Sequence, residues 1–103
     1  MEEIYDIIVI GAGPAGAAAC VYAGRKQLRT LLVTKDFAGQ SIVSDKIENW
    51  IGETSISGYD LAKKLEAHVR AQESVRVEMG KEVVGVNSAD GNFHVSVASG
   101  ETY

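Results

Sequence analysis

The residues Gly11-Ala-Gly13-Pro-Ala-Gly16 follow directly on an apolar run, Tyr5-Asp-Ile-Ile-Val-Ile10, and open an alanine-rich stretch. A glycine-rich turn between a buried strand and a helix constrains a chain more than any composition does. It is the signature of a βαβ unit that holds a dinucleotide pyrophosphate at the helix N-terminus. Each glycine has a mechanical reason. Gly11 permits the tight turn out of the strand. Gly13 lets a phosphate approach the backbone. Gly16 lets the first helical turn lie against the strand. The N–H groups and dipole at the start of that helix favour an anion.

The flanking elements supply the context that a lone glycine pattern lacks. Tyr5–Ile10 reads as a strand covered on both faces, as in the middle of a parallel sheet. Pro14 to about Lys26 reads as a helix, with Pro14 in its first turn. Leu28–Thr34 is the second strand. Residues 35–58 are rich in Gly, Ser, Asp and Glu. That stretch is too long for an idle connection, and Ile42, Val43, Ile47, Trp50, Ile51 and Ile56 are too apolar for simple exposure. Ser57 or Gly58 caps a helix from Tyr59 to about Gln72, whose Ala62, Leu65 and Val69 form an apolar stripe. Ser74–Met79 is a third strand. Lys81–Ser88 and Gly91–Ala98 are two more, joined by Ala89-Asp90-Gly91, a hairpin signal. Glu101–Tyr103 reads as the first residues of a further strand.

The expected fold is therefore α/β: a Rossmann-like parallel βαβαβ core plus an antiparallel β-hairpin, with residues 1–103 forming the N-terminal portion of a larger dinucleotide-binding domain. Length allows one domain. The net charge of −4, with no Lys/Arg run, argues against nucleic acid. No apolar run reaches the length of a membrane span, and the acidic start is unlike a secretory signal, so the expected compartment is the cytoplasm. Cys20 is the single cysteine, which excludes a disulfide framework, a thiolate cluster and a Cys-x-x-Cys pair within these residues. It reads as core packing. His68 and His94 are too far apart for metal-ligand spacing, and no metal is expected. Trp50 is read as packing in preference to ligand contact.

One expected group is displaced. A carboxylate at the end of the second strand usually accepts bonds from the adenosine ribose. The chain has Val33-Thr34-Lys35-Asp36 there. Thr34 can bond a ribose hydroxyl, Asp36 can be the acid shifted by two residues, and Lys35 leaves open a 2′-phosphate.

Three blocks together, Gly11-Ala-Gly-Pro-Ala-Gly16, Ala38-Gly39-Gln40 and Ile47-Glu-Asn-Trp-Ile-Gly52, resemble the thioredoxin reductase family of flavoproteins, which includes the flavoprotein subunit of alkyl hydroperoxide reductase. The resemblance runs from Tyr5 to Tyr103. It implies FAD lying extended, with Gly11, Gly13, Pro14, Ala15 and Gly16 at the pyrophosphate. Gly39 and Gln40 would pass the ribityl chain and flavin, Asn49 would lie near the isoalloxazine, and the backbone of Val83 would meet the adenine. The family often lacks the ribose acid, which favours Thr34 with FAD. Two departures stand out: Ala38 replaces a glycine, and Ile51 replaces a proline. The resemblance also implies an oxidoreductase passing electrons from NADPH, bound in a second domain, through FAD to a disulfide. A homodimer and a thioredoxin-like or other redox carrier would be its partners. A relative without the redox disulfide, or a non-catalytic binding module, are the alternatives.

Overall fold

The computed structural model describes residues 3–37 and 42–103. Its elements are β1 (Ile7–Ala12), α1 (Pro14–Arg25), β2 (Thr30–Phe37), α2 (Gly58–Arg70), β3 (Val75–Met79), β4 (Val83–Ala89) and β5 (Asn92–Val97). The first three strands form a parallel sheet in the order β1-β2-β3, and β4 and β5 form an antiparallel pair. The expected parallel core with a hairpin is the observed fold.

β2 is the centre of the sheet. Leu31, Leu32 and Val33 are completely buried. Successive side chains on a strand point to opposite faces, and here both faces are covered. Leu32 joins Ala12, Ala17, Cys20, Phe37, Ala62 and Val69 beneath the two helices. Leu31 and Val33 point the other way and meet Val97, with Tyr5, Ile8, Val83 and Tyr103 against them. A continuous apolar run is what a strand covered on both sides requires.

β1 differs from its expected setting. Among the described residues it is an edge strand, and Ile7 and Ile10 are 37% and 49% exposed. Both strands also run further than their apolar centres indicate. β1 continues into the glycine turn, and β2 continues to Phe37, which is buried and pairs with Ala12. The register is irregular there: the step from Ile10 to Ala12 is matched by the step from Val33 to Phe37. The extra residues form a bulge at the end of β2.

The helix ends are fixed by local chemistry. Pro14 is the first residue of α1. Ser57, not Gly58, caps α2: its hydroxyl accepts the Asp60 N–H at 3.1 Å. α1 closes with the Leu28 N–H on the Ala23 carbonyl (3.2 Å) and the Gln27 N–H on the Gly24 carbonyl (2.9 Å). That is a Schellman closure, with Gln27 in the left-handed position at φ 58°. In the hairpin, Asp90 (φ 55°) and Gly91 (φ 79°) are both left-handed. This is the two-residue type I′ turn that an Asp-Gly pair favours. Tyr103 exchanges two backbone bonds with Val95 (2.8 and 2.9 Å), around an isolated antiparallel bridge between Ser96 and Thr102.

Residues 42–57 are ordered by an antiparallel bridge. Ile47 and Ile56 exchange backbone bonds of 2.7 and 2.9 Å, and Gly58 N–H donates to Ser44 at 2.7 Å. Within that loop Glu53 N–H donates to Trp50 at 3.0 Å, and Gly52 takes φ +100°.

Candidate functional site

The turn after β1 has the three glycine roles built into its geometry. Gly11 takes φ +91°, a conformation a side chain disfavours. A Cβ on Gly16 would overlap the Gly11 carbonyl oxygen, so this glycine brings helix and strand together. Gly13 is the N-cap of α1, and a Cβ there would meet nothing within 4 Å. The space over Gly13 is an open cradle.

The groups around that cradle suit an anion. The Ala17 N–H donates to the Gly13 carbonyl at 2.9 Å as the helix begins. The amides of Ala15 and Gly16 precede it and belong to the orphan donors of a helix start. Pro14 brings no N–H and supplies the preset φ. No side chain caps Gly13, and no acidic residue stands in the first turn. A pyrophosphate would meet amide donors and the positive end of the helix dipole without a competing carboxylate.

Thr34 is engaged inside the protein. It is 5% exposed, and its hydroxyl accepts the Ala12 N–H at 3.1 Å and donates to the Asp36 carbonyl at 2.6 Å. The donor expected for a ribose is thus committed to the bulge, and Thr34 ties the glycine turn to the end of β2. Asp36 and Lys35 are exposed beyond it. The Lys35 ammonium lies 3.4 Å from the Glu82 carboxylate.

Asn49 is exposed on the loop closed by Ile47 and Ile56. Its neighbour Trp50 is half-buried. It shares a cavity of about 420 Å³ with Pro14, Ala17 and Val21 of α1 and Leu65 and His68 of α2. The Asn49 segment is thereby brought to the face of α1 that begins at Pro14. Val83 opens β4, pairs with Val97 and joins the sheet face formed by Leu31 and Val33. The preceding residues reach the end of β2: the Gly80 and Lys81 N–H groups donate to the carbonyls of Lys35 and Thr34 at 3.2 and 3.1 Å. The expected positions Gly39 and Gln40 lie outside the described residues.

Cys20 is fully buried, and burial pushes its thiol up to about 11. A thiol so raised carries almost no thiolate near neutrality. Among the described residues no cluster of His, Cys, Asp or Glu could hold a metal. No helix there is long and apolar enough to cross a membrane.

Sequence reasoning missed the Thr34 bridge, the reach of β2 to Phe37 and the approach of Glu82 to Lys35. The first two depend on a bulge that no residue pattern announces. The third joins residues far apart in the chain.

Residues 5–103 match the family described as pyridine nucleotide-disulphide oxidoreductase. The chain is 37% identical over 100 residues to an alkyl hydroperoxide reductase subunit of Pseudomonas putida, covering 96% of the chain and 19% of that protein. It is 48% identical over 65 residues to thioredoxin reductase of Ureaplasma parvum, covering 62% of the chain and 21% of that protein. The crystal structure of Lactococcus lactis thioredoxin reductase superposes with a TM-score of 0.89 at 27% identity, over 97% of the chain and 32% of that structure. The chain therefore spans a minor share of each relative's length.

Proposed function

Because the chain belongs to the pyridine nucleotide-disulphide oxidoreductase family, we propose that it is the N-terminal portion of the FAD-binding domain of a thioredoxin reductase-like enzyme. The observation that carries this reading is the open cradle over Gly13, framed by Gly11 at φ +91° and by the contact between Gly16 and Gly11. A side chain at Gly13 would fill that cradle, and the adjoining helix start offers donors to a diphosphate.

In this reading Gly11, Gly13, Pro14, Ala15 and Gly16 hold the pyrophosphate. Thr34 braces the turn from below through Ala12. Asn49 faces the isoalloxazine half, with Gly39 and Gln40 beside the ribityl chain, and the Val83 backbone meets the adenine. Bound FAD would supply two-electron transfer between NADPH and a disulfide. The NADPH site and the acceptor cysteine pair belong to other parts of the complete protein, since Cys20 is buried with its thiol raised. The complete enzyme would be a cytoplasmic homodimer serving a thioredoxin-like carrier.

The test is flavin analysis of the complete protein. Released cofactor should run with FAD on chromatography, and NADPH oxidation should depend on a disulfide acceptor. A protein that holds no flavin after purification and reconstitution would end this reading.

A further inference from the structure

Adenosine recognition in doubly wound folds normally places a carboxylate at the end of the second strand, where it accepts bonds from the ribose hydroxyls. This chain has Thr34, Lys35 and Asp36 there, with the Thr34 hydroxyl bonded inside the protein and Lys35 and Asp36 exposed. The structure brings a second carboxylate to that place from elsewhere. The chain leaving β3 turns at Gly80, φ +73°. The Gly80 and Lys81 N–H groups then bind the carbonyls of Lys35 and Thr34. Those bonds carry residue 82 to the end of β2, and Ala98 N–H fixes the Glu82 carbonyl from the hairpin side at 2.8 Å. The Glu82 carboxylate thereby stands 3.4 Å from the Lys35 ammonium, with the two side chains 58% and 67% exposed.

An exposed pair of this kind adds little stability, so stability does not account for its placement. Two of the nearby groups are otherwise engaged. Lys81 pairs with Glu101, and the Thr34 hydroxyl donates to Asp36. Glu82, Lys35 and the exposed Asp36 face solvent at the strand end where an adenosine would lie, and of the two carboxylates Glu82 is the one held by an ammonium.

We propose that Glu82 is the carboxylate that reads the adenosine ribose, and that Lys35 holds it in position. This proposal rests on the dinucleotide reading of the glycine turn. The carboxylate accepts from the 2′- and 3′-hydroxyls and repels a 2′-phosphate. Without it, Lys35 is free to attract one. Glu82 thus selects a free 2′-hydroxyl, and the role of the usual strand-end acid is supplied by the connection between β3 and β4.

The experiment measures FAD dissociation in the complete protein by flavin fluorescence, with ADP-ribose and 2′-phospho-ADP-ribose as competitors. Glu82→Gln should weaken FAD and ADP-ribose about tenfold, the size expected for one charge-assisted bond in a partly solvated site. It should also erase or reverse the preference for ADP-ribose over its 2′-phosphate, with the melting temperature unchanged. Unchanged affinity and preference in Glu82→Gln, alongside a large loss in Gly13→Ala, would overturn the proposal and leave the glycine-turn reading standing. A loss that follows Asp36→Asn instead of Glu82→Gln would overturn it too. If Gly13→Ala also binds FAD normally, the premise itself fails.

Discussion

The Gly11 carbonyl oxygen occupies the space that a Cβ on Gly16 would need. Gly13, between them in sequence, has open space where its own Cβ would be. The same substitution at the two positions therefore has opposite signatures. Gly16→Ala should force helix and strand apart and lower stability by about 1–3 kcal/mol, the usual cost of overpacking. Gly13→Ala should leave the melting temperature nearly unchanged and weaken FAD about a hundredfold or more, through loss of two charge-assisted bonds. Thermal melts and flavin titrations of the two variants check the crossover.

Cys20 should be chemically silent in the folded protein. Its thiol is raised from 9.0 to about 11 by burial, so the folded state keeps its proton longer than the unfolded state does. The stability it contributes is whole below pH 9 and falls between pH 9 and 11. Alkylation by iodoacetamide at pH 8 should track global unfolding, and Cys20→Ala should keep flavin binding while losing some stability. Loss of turnover in Cys20→Ala with flavin bound and fold intact would contradict the packing role.

Gln27 carries a left-handed backbone at the end of α1 without being a glycine. Glycine there removes the steric penalty of about 1–2 kcal/mol, offset in part by its greater freedom when unfolded. Gln27→Gly should therefore stabilise the protein by about 0.5–1 kcal/mol, read as a shift in denaturant midpoint without a change in slope. A destabilised variant would mean that the Gln27 side chain makes an offsetting contact.

These 103 residues in isolation should bind FAD weakly. The pyrophosphate contacts are local to the glycine turn, but the chain spans a minor share of its relatives' length, and cofactor contacts made by the rest of the complete protein would be missing. Titration of the isolated chain checks this, and a submicromolar dissociation constant would show a site complete within these residues.

The open edge of β1 should make the isolated chain associate. Ile7 and Ile10 are exposed beside strand backbone that has no neighbouring strand among the described residues, a template for a second chain. Sedimentation over a concentration series should show reversible dimers, reduced by Ile10→Lys. A strict monomer at millimolar concentration would contradict it.

The sequence was most legible where a residue type is dictated by backbone shape. Gly11 and Asp90-Gly91 each announced a turn that such residues favour, Gly16 announced a close approach of helix and strand, and each stands where expected. The doubly covered setting read for Tyr5–Ile10 belongs instead to β2, whose Leu31, Leu32 and Val33 are fully buried. What could not be read depends on register. Thr34 was legible as a polar strand end, but its partners Ala12 and Asp36 are selected by the bulge at the end of β2. Glu82 comes near Lys35 only because β3 lies beside β2 and its exit turns back. Neither relation leaves a local periodicity. The apolar run of β1 could not by itself place that strand at an edge, because edge and central strands share one pattern when later elements decide which is which.

Leu31 and Val33 turn away from Leu32, so the sheet divides the interior into two cores that share no side chain among the described residues. The β4–β5 layer rests on the smaller of them, with further ties at Thr34, Lys35 and the Tyr103–Glu78 hydrogen bond of 2.9 Å. A layer held this lightly can lift as a unit while the helix side stays closed. Amide hydrogen exchange would then separate into two tiers, with Val95 and Val97 trading protons well before Leu32 and Val69. The adenosine end of the proposed site, where Glu82 meets Lys35, lies on the seam between the tiers. Ligand occupancy there would slow exchange in the hairpin without touching the slowest amides.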